Sequence, residues 1–252
     1  MPLLEIRNVS KYFGGLEAVG NVDFDVDQGE IKGLIGPNGA GKTTLFNVIS
    51  GVYHPTSGRV VFKGKDIAHL KPHAIAKMGL VRTFQATTLF NSFSVLKNVL
   101  AGYHLHSKVN FWGALFNTPA TVKRERDIEK KAMEILEFMG LSKYKDELAL
   151  NLPHGYQRAL GISIALAAEP ELLMLDEPVT GMNPEETMEM MGVINKIRDR
   201  AITVLLIEHD MRVVMDCCEK ITVLNFGKKL AEGPPEKIRK NKDVIEAYLG
   251  SE

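Results

Sequence analysis

What this chain lacks first is an excess of either charge. Its 31 lysines and arginines are matched by 31 aspartates and glutamates across 252 residues. No net field therefore draws it to nucleic acid or to an acidic membrane surface. Cysteine is nearly absent too: the two present, Cys217 and Cys218, are adjacent and have no C-x-x-C spacing. That excludes a disulfide framework and a zinc ribbon and predicts a reduced, cytosolic protein. No uncharged apolar run approaches the roughly 18–20 residues of a membrane span, so any work at a membrane is expected to go through a partner. The opening Met1-Pro2-Leu3-Leu4-Glu5-Ile6-Arg7 runs straight into an alternating strand, without the basic-then-apolar layout of a signal peptide. Internal repeats, low-complexity segments and sustained heptads are absent as well.

What the chain does contain is one glycine-rich stretch, Gly36-Pro37-Asn38-Gly39-Ala40-Gly41-Lys42-Thr43-Thr44. It fits G-x-x-x-x-G-K-[ST] without a mismatch. Glu30 to Ile35 before it reads as a short apolar strand, and Thr44 to Ser50 after it as the start of a helix. That context separates a phosphate cradle from an ordinary turn. Glycines let consecutive backbone N–H groups turn inward around a phosphate, and the helix dipole adds positive potential. Lys42 is then expected to reach the β- and γ-phosphates of a nucleoside triphosphate, and the Thr43 hydroxyl to ligate Mg²⁺.

Elsewhere the pattern is α/β. Residues 3–9 and 22–26 alternate as half-buried antiparallel strands. Lys11 to Gly15 is predicted as a turn, whose aromatics either stack on a purine ring or cover the edge of the strand layer. Arg59 to Phe62 is a strand, Pro72 to Met78 a short helix, and Leu80 to Gln85 a buried strand. Gln85, at its end, either senses a cation and attacking water or simply caps the strand. Between residues 87 and 165 the strand pattern stops, and a helical subdomain is predicted, inserted into a core formed by 1–86 and 166–252. Arg124 to Met139 is its clearest amphipathic helix, and Phe111 to Phe116 is either its small core or a docking surface. Leu172 to Asp176 is an uninterrupted apolar run ending in Asp176-Glu177, as in a central parallel strand whose carboxyl end faces a ligand crevice. Asp176 is expected to hold Mg²⁺ through water and Glu177 to orient or deprotonate an attacking water. Thr203 to Ile207 is a further buried strand ending in Glu208-His209, and His209 is either a donor to the γ-phosphate or a structural histidine. A hairpin about Asn225-Phe226-Gly227 and a final helix over 235–249 complete the chain.

In this order, and over essentially the full length, these elements resemble the nucleotide-binding subunits of ABC transporters. The resemblance implies a P-loop core with a mostly parallel sheet, an N-terminal antiparallel β layer and the inserted helical subdomain. It implies Phe13 as the adenine-stacking aromatic and Gly36 to Thr44 as the Walker A loop. Gln85 becomes the Q-loop, Asp176 the end of Walker B, Glu177 the catalytic glutamate and His209 the switch histidine. The signature segment, usually LSGGQ, falls on Leu152-Pro153-His154-Gly155-Tyr156. Pro153 there has neither hydroxyl nor N–H but is tolerated in the first turn of a helix. Pro153, His154 and Gly155 would face a nucleotide held by an opposing subunit, and Asn183 stands where the D-loop usually has aspartate. Within the family, Gly181 to Thr187, Glu208 to Met211 and the insert through Phe111–Pro119 look like the branched-chain amino acid importers.

ATP and Mg²⁺ are the cofactors so implied. The implied partners are a second ATPase subunit (another copy or a paralogue), transmembrane permease subunits and, indirectly, a substrate-binding protein. The implied location is the cytoplasmic face of the cell membrane. Two rivals share the ATPase motifs. One is a cassette that powers lipid or lipopolysaccharide export. The other is a soluble ABC protein acting on ribosomes or DNA, which usually carries two cassettes, coiled coils or a basic surface that this chain lacks.

Overall fold

The computed structural model describes residues 2–83, 89–103 and 119–249. The chain opens with a hairpin of β1 (Pro2–Phe13) and β2 (Leu16–Asp27). Both strands run well past the predicted 3–9 and 22–26. Register shifts between Ile6 and Val9 and again up to Tyr12 interrupt the pairing where the alternation fails, without ending it. The Ser10 hydroxyl accepts the Asn21 N–H there at 2.9 Å. Only Gly14-Gly15 remains as the turn, so Tyr12 and Phe13 sit at the end of a strand and not in the predicted turn. β4 (Ser57–Phe62) and a two-residue β5 (Lys65–Asp66), which the sequence did not suggest, complete an antiparallel sheet of order β2-β1-β4-β5.

The second sheet is built from β3 (Ile31–Ile35), β6 (Leu80–Arg82), β7 (Leu172–Asp176), β8 (Thr203–Ile207), β9 (Lys220–Asn225) and β10 (Lys228–Gly233). Its order is β10-β9-β3-β8-β7-β6, parallel throughout except for the closing β9–β10 hairpin. Helices on one side and the antiparallel sheet on the other explain why its strands are apolar on both faces. Leu172 and Met174 of β7 join Leu34, Val60 and Phe62 in one core, together with Leu45 and Phe46 of α1 (Lys42–Ile49). Leu173 and Leu175 point the other way, into the helical core. The one charge in β3, Lys32, is fully buried and pairs with the Glu232 carboxylate of β10. Burial raises that carboxyl, but Lys32 and Lys229 hold it below its usual range.

α2 (Pro72–Lys77) precedes β6. Between β6 and β7 lie α3 (Val95–Gly102), α4 (Pro119–Phe138) and α5 (His154–Ala167), which pack on one another through Val99, Ala132, Leu136 and Leu160. The Phe111–Phe116 patch lies outside the described residues. Later come α6 (Pro184–Asp199), α7 (Met211–Cys217), α8 (Pro235–Arg239) and α9 (Lys242–Leu249). The single helix predicted over 235–249 is two, because the Asn241 side chain accepts the Val244 N–H at 3.2 Å and starts a new helix.

α6 begins three residues before its predicted start at Thr187, and Asn183 is the reason. Its Oδ1 accepts the Glu185 and Glu186 N–H groups at 3.0 Å each, while the Glu186 carboxylate accepts the Asn183 N–H at 3.0 Å. This is a full capping box with Pro184 at the first helical position. Asn183→Ala should cost about 1 kcal/mol, a fall in Tm of roughly 2–4 °C for a chain of this size. Thermal unfolding followed by circular dichroism measures it, and an unchanged Tm would mean that the box contributes no net stability. Among the described residues no helix is long and apolar enough to cross a membrane.

Candidate functional site

Parallel pairing brings the carboxyl ends of β6, β7, β8, β3 and β9 to one edge of the sheet, where ligands of open α/β sheets bind. From β3 the chain enters the glycine loop. Gly36 lies so close to β9 that a Cβ there would fall 2.2 Å from the Leu224 carbonyl oxygen. Gly41, at φ 94°, is the N-cap of α1, so the helix starts at Lys42, two residues before the expected Thr44. Lys42 is folded into the loop. Its Nζ donates to the carbonyls of Gly36 at 2.7 Å and Pro37 at 2.9 Å. Burial pulls the ammonium below its usual range, against Glu177 and Asp176, which raise it.

Above the loop is a cavity of about 480 Å³ lined by Asn38 to Thr44, Phe13, Glu177 and the Phe226-Gly227 turn. Phe13 packs edge-on against Tyr53, with ring centroids 5.2 Å apart, and Lys11 Nζ sits 5.1 Å from its ring. Phe13 thus braces the strand end and also walls the cavity. Phe226 was not singled out beyond its hairpin. It stands 84% exposed in a turn where both residues have positive φ, 44° for Phe226 and 77° for Gly227. A tight hairpin turn demands that geometry and usually fills its first position with Asn, Asp or Gly. Phe ahead of Gly was the available signal. The turn is clamped by Gly227 N–H to the Ala40 carbonyl at 3.1 Å and by Gly20 N–H to the Gly227 carbonyl at 2.8 Å.

On its other side the loop meets the C-terminal helix. Pro37 to Ala40, Asn225, Phe226 and the α9 residues Asp243, Glu246 and Ala247 line a second cavity of about 630 Å³. The Tyr248 phenol faces the Gly36 backbone. Burial pushes it up to about 12, and that backbone hydrogen bond draws it down.

Asp176 ends β7 nearly buried, and Arg82 Nη2 donates to its Oδ2 at 2.7 Å. Glu177 follows at φ 49°, a left-handed conformation that is costly for a side chain this size. The Glu177 N–H to Ile207 carbonyl bond at 2.9 Å holds it there, carboxylate toward the cavity. His209 Nδ1 lies 3.8 Å from Glu177 Oε1, on an exposed ring. Glu208 beside it is fully buried, and its two oxygens accept the N–H groups of Val179 at 3.0 Å and His209 at 3.1 Å. Burial raises that carboxyl above its usual range, outweighing the backbone bonds, which lower it. Glu208 thus staples the segment after Glu177 to the His209 loop, a role that the sequence did not disclose.

The structure therefore brings Phe13, the glycine loop, Lys42, Thr43, Glu177, His209 and Asp176 to one region. Gln85 lies outside the described residues. Pro153, His154 and Gly155 do not line the cavity. Pro153 is the N-cap of α5 and not, as anticipated, a first-turn residue, because its extended ψ of 152° keeps it outside the helix while its carbonyl accepts the Gln157 N–H at 3.0 Å. His154 lies against Gly181, and Gly155 against the Glu186 carboxylate.

Among the described residues no group of three His, Cys, Asp or Glu side chains is placed to hold a metal. The loop offers the exposed Thr43 hydroxyl to the cavity, and β7 ends in the nearly buried Asp176 carboxylate. They suit Mg²⁺, which keeps several waters and completes its shell with substrate phosphates.

Comparison with known proteins gives the same picture. Residues 19–180 match the family described as ABC transporter, and residues 228–252 match that described as branched-chain amino acid ATP-binding cassette transporter. The chain is 44% identical over 250 residues to the high-affinity branched-chain amino acid transport ATP-binding protein BraF of Pseudomonas aeruginosa, covering 99% of this chain and 98% of that protein. The same figures hold for LivG of Escherichia coli strain K12. Among solved structures, the ADP conformation of MJ1267, an ATP-binding cassette of an ABC transporter, superposes with a TM-score of 0.88 at 33% identity, covering 99% of each chain.

Proposed function

The chain belongs to the ABC transporter family, and from that we propose that it is the ATP-hydrolysing subunit of an importer of branched-chain amino acids. The single observation that carries the ATPase half is the cavity in which Lys42 and Thr43 of the glycine loop share a wall with Glu177. The cargo half is carried by the C-terminal match and the relatives named for that transport.

ATP sits with its phosphates on Gly36 to Thr44 and its base against Phe13. Lys42 exchanges the Gly36 and Pro37 carbonyls for phosphate oxygens, which relieves a buried ammonium of weak neutral acceptors. Thr43, Gln85 and, through water, Asp176 would hold Mg²⁺, which when bound would supply positive charge to the phosphate oxygens. Glu177 orients the attacking water and takes its proton, and His209 donates to the γ-phosphate. None of Pro153, His154 and Gly155 lines the chain's own cavity; exposed Pro153 and His154 and half-buried Gly155 complete the cavity of a second copy or paralogue, with the N–H groups of His154 and Gly155 at the helix N-terminus. Residues 87–165 act as the helical subdomain that passes closure of the pair to permease subunits at the inner membrane face, with 1–86 and 166–252 as the nucleotide core. A substrate-binding protein delivers cargo from the other side.

The test is uptake of labelled leucine into proteoliposomes carrying the permease subunits and this chain, with ATP on the side of the ATPase. ATP-dependent uptake is expected. Hydrolysis with no amino-acid uptake, accompanied by lipid translocation, would transfer the cassette to the export class.

A further inference from the structure

The two groups fitted to Mg²⁺ come from different elements, Thr43 from α1 and Asp176 from the end of β7. Something must hold them in register, and one side chain spans the gap. Arg82 ends β6 with its guanidinium buried between the two elements, its side chain 8% and that of Asp176 5% exposed. Nη2 donates to Asp176 Oδ2 at 2.7 Å. Nη1 donates to Asn47 Oδ1 of α1 at 2.6 Å and, at 3.4 Å, to the hydroxyl of Ser50, the C-cap of that helix. The cation also lies 5.5 Å from the centre of the Phe46 ring. Asn47 is four residues after Thr43 and so directly one turn along the same helix face. The next residue, Thr83, accepts the Asp176 N–H at 3.4 Å and donates its own N–H to the Met174 carbonyl at 2.9 Å. Two successive residues thus fix both the backbone and the carboxylate of Asp176.

A cation needed only to balance charge has no use for a second anchor. A planar fork bonded to a carboxylate at one prong and to a helix at the other fixes orientation, which the point charge of a lysine does not. We propose that Arg82 is a positioning residue for the Mg-ATP site: as a strut between β7 and α1 it holds the Asp176 carboxylate in register with Thr43. It touches neither nucleotide nor reacting atoms. The inference rests on the ATP-binding reading above and deepens it.

The test is equilibrium binding of a fluorescent ATP analogue, first in EDTA and then with Mg²⁺ titrated in, to wild type, Arg82→Lys and Arg82→Gln, with circular dichroism to confirm folding. Positioning predicts that binding in EDTA stays within about twofold, while the Mg²⁺ half-saturation rises about tenfold or more in Arg82→Gln and severalfold in Arg82→Lys, since geometry and not charge is lost. If Arg82 only dilutes the negative charge of the site, Arg82→Lys will match wild type and Arg82→Gln will bind Mg²⁺ equally or more tightly, which overturns the proposal. Equal losses with and without Mg²⁺ would also overturn it. Should Arg82→Gln fail to fold, Arg82→Lys decides, and an unshifted Mg²⁺ response rejects the strut. Wild type that binds no analogue in either condition would instead overturn the ATP reading itself.

Discussion

Glu177→Gln should bind ATP as the parent does and turn it over roughly 10²–10⁴-fold more slowly, the usual worth of a general base. The substitution keeps size and one acceptor oxygen, and the backbone hydrogen bond from Glu177 N–H to the Ile207 carbonyl is unaffected. The costly φ of 49° is inherited unchanged. What is lost is the capacity to take a proton. His209 Nδ1 lies 3.8 Å from Glu177 Oε1, so glutamine keeps the same neighbour. Steady-state phosphate release measures the rate, and near-normal turnover would remove Glu177 from its role. The same variant, with ATP and no hydrolysis to release it, should run as a dimer in light scattering and as a monomer without nucleotide. A monomer at saturating ATP would assign the opposing signature to a paralogue or to the permease scaffold.

The second large effect is expected from Gly36→Ala. The new Cβ would lie 2.2 Å from the Leu224 carbonyl oxygen and 3.0 Å from the Ala40 side chain, and the first of these contacts is with backbone that cannot swing aside. Either β9 or the loop must move. Overpacking of this kind costs about 1–3 kcal/mol of stability. The heavier loss falls on the phosphate, because the loop's inward N–H groups lose their aim. Each charge-assisted bond contributes about 1.5–3 kcal/mol, so two of them correspond to at least a hundredfold in ATP affinity. Isothermal titration reads the affinity and a thermal melt the stability. Affinity within threefold of wild type would show that the Gly36–Leu224 contact does not shape the cradle.

The parts of this molecule legible in the sequence were those whose cause is local. The glycine loop declares itself through spacing. β7 and β8 declare themselves because strands buried on both faces must be apolar at every position, and Asp176-Glu177 are conspicuous because charge appears where such a run stops. The illegible parts depend on partners far along the chain. Arg82 lies inside a stretch that reads as a buried strand up to Gln85, and only folding places Asp176, 94 residues on, beside it. Glu208 stands out in the sequence only as the neighbour of His209, yet it is buried, with Val179 and His209 offering it two N–H groups. The length of the β1–β2 hairpin was hidden because bulges break the two-residue period that identifies strands. Asn183 looked like a departure at a surface between subunits, whereas its side chain is engaged within its own chain as a helix cap.

The glycine loop is encoded early and finished late. β3, which leads into it, lies between β8 and β9, and the loop itself is braced by Leu224, Gly227 and Tyr248. A ribosome that has delivered the loop has delivered none of these supports. Contacts this distant in sequence form slowly and only after the intervening chain exists. A nascent chain halted before about residue 224 would carry the whole phosphate motif and still be unable to grip a nucleotide. Truncation ahead of the β9–β10 hairpin is therefore expected to abolish ATP binding while leaving the phosphate motif itself intact.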